Sequence, residues 1–196
     1  MEQRDINSRT RADTFGLRPD IYDALAGNMV KQTDLGSLLP NSGSCFLPQG
    51  AASLQTGGQR FLPFTVPNGT QRGCEVSSED GLILNAIGMW RVEVATRSIM
   101  ENVAGDGGSS ELRLEVFDPD GNFVRRRIYY LNAGGIVLIS SVEHPHCWLN
   151  VVVDRPGYRV RVFQLLSNAT GMRTWNSSEY TELFAQYVYN GTLGGV

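Results

Sequence analysis

Between Glu111 and Leu166 apolar and polar residues alternate or aliphatics cluster in short runs, each stopped by Gly, Pro, Asn or Asp. Leu112, Leu114 and Val116 fall on one side of an extended chain, and Glu111, Arg113 and Glu115 on the other, because successive strand side chains point to opposite faces. Asp118-Pro119-Asp120-Gly121-Asn122 follows. Pro presets φ, Asp bonds its own backbone and Gly accepts positive φ, so a hairpin turn is predicted with Phe123–Leu131 as the return strand. Setting Phe117 opposite Phe123 places Glu115 against Arg125 and leaves Arg126 against Leu114, a mismatch that a bulge near the glycine would repair. Gly134-Gly135 opens the aliphatic run Ile136–Val142, which suits a strand covered on both faces. Trp148–Val153 forms the next strand, Asp154-Arg155-Pro156-Gly157 turns the chain, and Tyr158–Val162 alternates with Arg159 and Arg161 outward. Upstream, Leu82–Leu84 and Gly88–Ala95 read as the first strands, with Trp90, Val92 and Val94 inward. Short strands separated by turn residues argue for an antiparallel sandwich or barrel rather than βαβ units.

The ends read differently. Residues 1–18 are polar, with Arg4, Arg9, Arg11 and Arg18 and few apolar anchors, a composition that orders only on a partner. Pro19 suits the first turn of a short helix over 20–26 with Ile21, Tyr22 and Leu25 on one stripe. Two turns of helix are unstable alone and need a surface to lie on. From Asn28 to Ser78 no period is sustained, yet Leu38-Leu39, Phe46-Leu47 and Phe61-Leu62-Pro63-Phe64 are too apolar for a free linker. The expected organisation is an extended arm over 1–80 and a β-sandwich over 81–196. Ile21, Tyr22, Leu25, Leu38, Leu39, Phe46, Phe61, Leu62 and Phe64 become the arm's partner-binding residues, with wrapping of the chain's own domain as the alternative. At the C-terminus, Asn176-Ser177-Ser178-Glu179 fits a helix cap, and Tyr180, Leu183, Phe184, Tyr187 and Val188 recur at helical spacing. The β-forming content of 183–189 fits a closing strand as well; the cap favours the helix.

Composition changes this picture little. The chain has 196 residues, a net charge of −3 and 41% hydrophobic residues, enough for one core plus an arm, and no basic footprint for nucleic acid. Lys31 is the lone lysine among its cations. The polar start, Met1-Glu2-Gln3-Arg4-Asp5, is not a secretion signal, and no run is long enough to span a membrane. Cys45, Cys74 and Cys147 are odd in number and lack metal-type spacing, so reduced, packed thiols are expected.

Candidate chemistry is sparse. His144-Pro145-His146 has the His-x-His form of cupin metal sites, but the chain holds just these two histidines. A zinc or iron site would need Cys147 or Asp154 to join them. The Asp118–Asn122 turn starts like a calcium loop, yet the twelfth position is Tyr129, which supplies no carboxylate. No Gly-x-Ser-x-Gly elbow, paired-carboxylate pattern or phosphate loop occurs. No catalytic residue, metal or cofactor is expected.

Gly88-Met89-Trp90-Arg91-Val92-Glu93-Val94, Leu131-Asn132-Ala133-Gly134-Gly135-Ile136-Val137-Leu138 and Tyr158-Arg159-Val160-Arg161-Val162 together resemble the core strands of the tumour-necrosis-factor and complement-head jelly roll. The resemblance covers 81–166 and implies an all-β, antiparallel jelly-roll sandwich that forms homotrimers. Similar knobs recur in bacteriophage head-decoration and fibre proteins. An arm joined to such a knob points to a virion structural protein, assembled in the host cytoplasm, that binds a major capsid protein or another virion subunit, with no nucleic-acid or membrane partner. A capsid decoration, or cement, protein is the first expectation. A tail or fibre component whose loops near Gly105 and Asn168 bind a host-surface ligand is the second, and a cupin-like metal enzyme using His144 and His146 the third.

Overall fold

Alternating runs become strands across the chain, and the computed structural model describes residues 40–48, 53–54, 58–101, 109–131, 140–167, 172–175 and 181–189. In chain order these hold β1 (Ser42–Phe46), β2 (Ser53–Leu54), β3 (Gln59–Phe61), β4 (Val66–Arg72), β5 (Cys74–Val76), β6 (Leu82–Leu84), β7 (Gly88–Ala95) and β8 (Ser98–Glu101). They continue with β9 (Ser109–Phe117), β10 (Phe123–Leu131), β11 (Ser140–Glu143), β12 (His146–Val153), β13 (Tyr158–Ser167), β14 (Met172–Trp175) and β15 (Glu182–Tyr189). Every paired strand is antiparallel, and the fold is an all-β jelly-roll-like sandwich.

One sheet runs β12-β7-β15-β1-β4 and the other β10-β9-β13-β6-β5, with β3 joining β13 beyond β6. Their inner faces meet in a core that includes Trp90, Val92, Val94, Leu149, Leu183 and Cys45 from the first and Leu82, Leu112, Leu114, Val116, Val160 and Val162 from the second. Burying each such aliphatic side chain stabilises by roughly 1.5–3 kcal/mol before chain entropy is charged. Trp90 closes one end: its indole N–H donates to the Ala86 carbonyl at 2.8 Å, and its ring stands edge-on to Tyr187 at 5.4 Å.

A small third sheet, β11-β8-β14-β2, extends the β7–β12 pair. Thr96 N–H donates to the Pro145 carbonyl at 3.0 Å, carrying the ladder across His144-Pro145 into β8 and β11. Arg173 of β14 is wholly buried and donates to Ser98 Oγ and Glu143 Oε2, each at 2.7 Å. Burial pulls its guanidinium below the usual arginine range, while Glu143 pulls the other way. One side chain thereby ties three strands together, and a buried pair of this kind is costly to break because the survivor keeps an uncompensated charge.

Four expectations need correction. The sandwich does not begin at 81: residues 42–76 supply β1, β3, β4 and β5 to its two main sheets, because their apolar side chains find burial inside the same chain. Leu62 and Phe64 are fully buried in the core, and Leu62 N–H donates to the Val162 carbonyl at 2.7 Å, so neither is a partner contact on an arm. Phe61 pairs with Phe163 on β13. Phe46 lies in β1 opposite Glu182. Second, 182–189 is a strand and not a helix: β15 lies between β7 and β1 and bonds to both. Third, the hairpin register shifts at Val124, so that Arg126 and not Arg125 faces Glu115, with Nε to Oε1 at 2.8 Å. The anticipated bulge exists and sits on the return strand. Fourth, β12 starts at His146 rather than Trp148. The predicted helix over 20–26, Ile21, Tyr22, Leu25, Leu38 and Leu39, the stretch Ile136-Val137-Leu138-Ile139 and the cap at 176–179 lie outside the described residues; Ser140–Glu143 is the described part of the run expected as a strand.

Candidate functional site

Two outer faces and one edge without a described neighbour carry the candidate functional side chains. On the outside of the second sheet, cross-strand pairing sets Phe117 opposite Phe123, Glu115 opposite Arg126 and Arg161, and Arg113 opposite Phe163. Phenylalanines and arginines therefore alternate across four strands. Phe61 packs edge-on to Phe163 at 5.1 Å and to Phe117 at 6.3 Å. Arg161 lies 3.4 Å over the Phe61 ring, Arg126 5.0 Å over Phe123 and Arg113 5.4 Å over Phe163. Planar guanidinium groups stack on ring faces while keeping carboxylate partners: Arg161 bonds Asp80, Arg126 bonds Glu115 and Arg113 bonds Glu111. Glu115 is consequently buried on an outer face. The middle of this layer covers itself, and Phe123 at its β10 edge stays exposed.

The outside of the first sheet leaves more apolar surface open. Pairing places Trp148, Glu93, Phe184 and Ser44 in one row and His146, Ala95, Glu182 and Phe46 in the next, with Val152 opposite Met89 beyond. Trp148 is 47% exposed, Val152 60% and Val188 53%. Arg91 stacks 4.6 Å over Trp148 and reaches Glu93 at 3.2 Å, while His146 Nε2 bonds the other Glu93 oxygen at 2.7 Å. Asn68 Nδ2 donates to Glu182 Oε1 at 3.0 Å. Between the two carboxylates, Glu93, Ala95, Glu182 and Phe184 line a shallow depression of about 270 Å³. Apolar side chains exposed together and rimmed by charged, hydrogen-bonded ones are the composition of a docking surface.

The third feature is β10, the terminal strand of its sheet, bonded along its length to β9 and to no other described strand. Arg125, Arg127 and Tyr129 share a side with Val116, Leu114 and Leu112, and Arg126, Ile128 and Tyr130 share the other. Tyr130 is 72% exposed. Arg125 reaches across to the other sheet, donating to the Asn150 carbonyl at 3.0 Å.

Of the candidate residues read from sequence, Phe46 lies on the outer face of the first sheet and Phe61 on that of the second, while Leu62 and Phe64 are core. The histidines do not converge: His146 is engaged by Glu93, and His144 stands exposed between β11 and β12. Among the described residues no group of three His, Cys, Asp or Glu is placed to hold a metal ion. Burial pushes the Cys74 thiol up to about 11 and Cys147 to about 12, and raises Cys45 further. Asp118 serves its own turn, accepting from Asp120 N–H at 3.0 Å and Asn122 N–H at 2.7 Å. Sequence reading missed the face built by Trp148, Glu93, Phe184 and Glu182. Its signal was present in β12, where Trp148 and Val152 take the phase opposite to Leu149 and Val151, so that both sides of an edge strand are apolar. The loops near Gly105 and Asn168 lie outside the described residues.

No family model and no curated protein sequence matches the chain. Among solved structures it is similar to the Eiger tumour-necrosis-factor protein of S. frugiperda, with a TM-score of 0.56 and 6% identity over 81% of this chain and 99% of that one. The infectious bursal disease virus VP2 subviral particle gives 0.47 at 13% identity over 76% of this chain and 32% of VP2. The vertex protein P5 of PRD1 gives 0.39 at 13% identity over 77% and 99%. The Eiger likeness is one of fold, and it agrees with the jelly roll expected from the strand pattern.

Proposed function

We propose that this chain is a structural protein of a virus particle, specifically a capsid decoration protein that assembles as a homotrimer and fastens to the shell. The observation that carries this reading is the outer face of β12, β7 and β15, where Trp148, Val152 and Val188 are left exposed. Protein contacts bury about 800 Å² on each side and draw most of their energy from a few aromatic and arginine anchors; Trp148 stacked under Arg91 is such an anchor. The jelly-roll type favours a closed trimer as the product. The apolar groups of 1–39, Ile21, Tyr22, Leu25, Leu38 and Leu39, supply the second contact, to the major capsid protein, after folding in the host cytoplasm.

The test is cosedimentation with purified shells. Full-length protein pellets with the shells, and protein lacking residues 1–39 stays in the supernatant while keeping the far-ultraviolet spectrum of a β-sandwich. Failure of the full-length chain to associate with any shell would overturn the particle reading, and undiminished binding by the shortened chain would overturn the arm's part in it.

A further inference from the structure

We infer that the outer edge of β10, unpaired among the described residues, takes up an extended acidic segment of another polypeptide as an added strand. β10 runs for nine residues, Phe123–Leu131, pairs with β9 from one end to the other and has no other described neighbour in its sheet. A long edge with unpaired N–H and C=O groups templates further pairing unless it is shortened, bulged or covered. Here the one bulge, at Val124, lies at the turn end, which leaves Arg125 to Leu131 regular. The side chains flanking this edge remain open: Phe123, Val124, Tyr129 and Tyr130 are all exposed.

Charge decides what can pair there. Arg126 is satisfied by Glu115 on its own sheet. Arg125 and Arg127, two residues apart on the other side, have no carboxylate within ion-pairing reach among the described residues; Arg125 bonds a main-chain carbonyl. A second β10 laid antiparallel would bring this arginine triplet near its own copy, and like charges placed opposite one another destabilise a pair. Self-association through the edge is therefore opposed. A strand with carboxylates at alternate positions puts one opposite Arg125 and one opposite Arg127, while its intervening apolar residues fall on the side of Ile128 and Tyr130. The recognised pattern is thus acidic-apolar-acidic-apolar in extended form. The inference stands on β10 alone and does not need the particle reading.

The probe is a labelled nine-residue peptide alternating valine and glutamate, titrated into the full-length chain by fluorescence anisotropy. Amide hydrogen exchange across β10 is read with and without it. Expected are saturable binding, slowed exchange of Arg125–Leu131 amides, loss of about tenfold or more in affinity in R125E/R127E, and a gain of binding by the valine-lysine peptide in that variant. R125S/R127S, which removes the charges without reversing them, loses affinity for the acidic peptide and does not gain the basic one. Any of four results would overturn the inference: no binding by the valine-glutamate peptide; equal binding by the valine-lysine peptide to the unmodified chain; equal binding by polyglutamate or by a valine-glutamate peptide with a central proline; or β10 amides already slow to exchange on both edges without peptide.

Discussion

At Gly81 the backbone has φ +80°, and a Cβ built there lies 1.9 Å from the Val160 carbonyl oxygen. That carbonyl belongs to β13 and cannot withdraw without disturbing the pairing with β6. At Gly121 φ is also positive, +84°, but a Cβ meets nothing within 4 Å. The two glycines separate conformational strain from steric exclusion. Gly121→Ala should cost about 1 kcal/mol, the left-handed penalty alone, and Gly81→Ala on the order of 3 kcal/mol, as strain and overpacking combine. Urea unfolding of the two variants beside the parent measures both. From sequence Gly121 was readable because Pro, Asp and Asn around it name a turn. Gly81 was not, since the atom that requires it belongs to a strand almost eighty residues away.

Elements were legible in proportion to how locally they are specified. The β9–β10 hairpin carries its own alternation, turn residues and bulge requirement, and it folds as its residues propose, apart from the one-residue shift that moves the ion pair to Arg126. β15 carries apolar residues at spacings that serve a helix or a strand equally. The choice is made by β7 and β1, whose unpaired edges it fills, and no window of its own sequence contains them. Similarly β3 and β5 are three residues each, too short to show a period, and β4 begins Val66-Pro67-Asn68-Gly69, residues that read as a turn. Proline is tolerated there because β4 ends its sheet.

The hairpin turn also supplies a pH test. The Asn122 side chain, helped by backbone N–H groups and Arg155, holds the Asp118 carboxyl below its usual range. A depressed folded-state value adds stability that is present above the unfolded pKa and is lost as pH falls through the folded one. The parent should therefore melt above Asp118→Asn at pH 7, and the gap between them should close as pH is lowered toward 2. Melting curves across that range check it; a gap that stays constant would mean that the charge at Asp118 has no part in stability.

Across the whole molecule the two outer faces divide the work. Around Phe61, Phe117 and Phe163 arginines stack on the rings and find their carboxylates on the same sheet, so that the middle of this face is covered from within, while Phe123 at its β10 edge stays exposed. On the other face Arg91 stacks on Trp148 and finds Glu93, yet Trp148, Val152 and Val188 all stay about half exposed or more, and that apolar area is what the proposed assembly would bury. Sequence patterning found the sandwich and its jelly-roll kind from 81 onward. It assigned to an arm the segment that builds β1 to β5, because burial inside the same chain and burial in a partner leave the same apolar signature along the sequence.

That the β12–β7–β15 face is an assembly surface is tested most directly by multi-angle light scattering of the full-length chain beside W148D/V152D, over a range of concentrations. Both positions are exposed, so the variant keeps its fold, which its melting temperature verifies. The account predicts a trimer mass for the parent and a monomer mass for the variant, with the parent dissociating only on dilution. A parent that stays monomeric at the highest concentration, or a variant that remains as large as the parent, would contradict it.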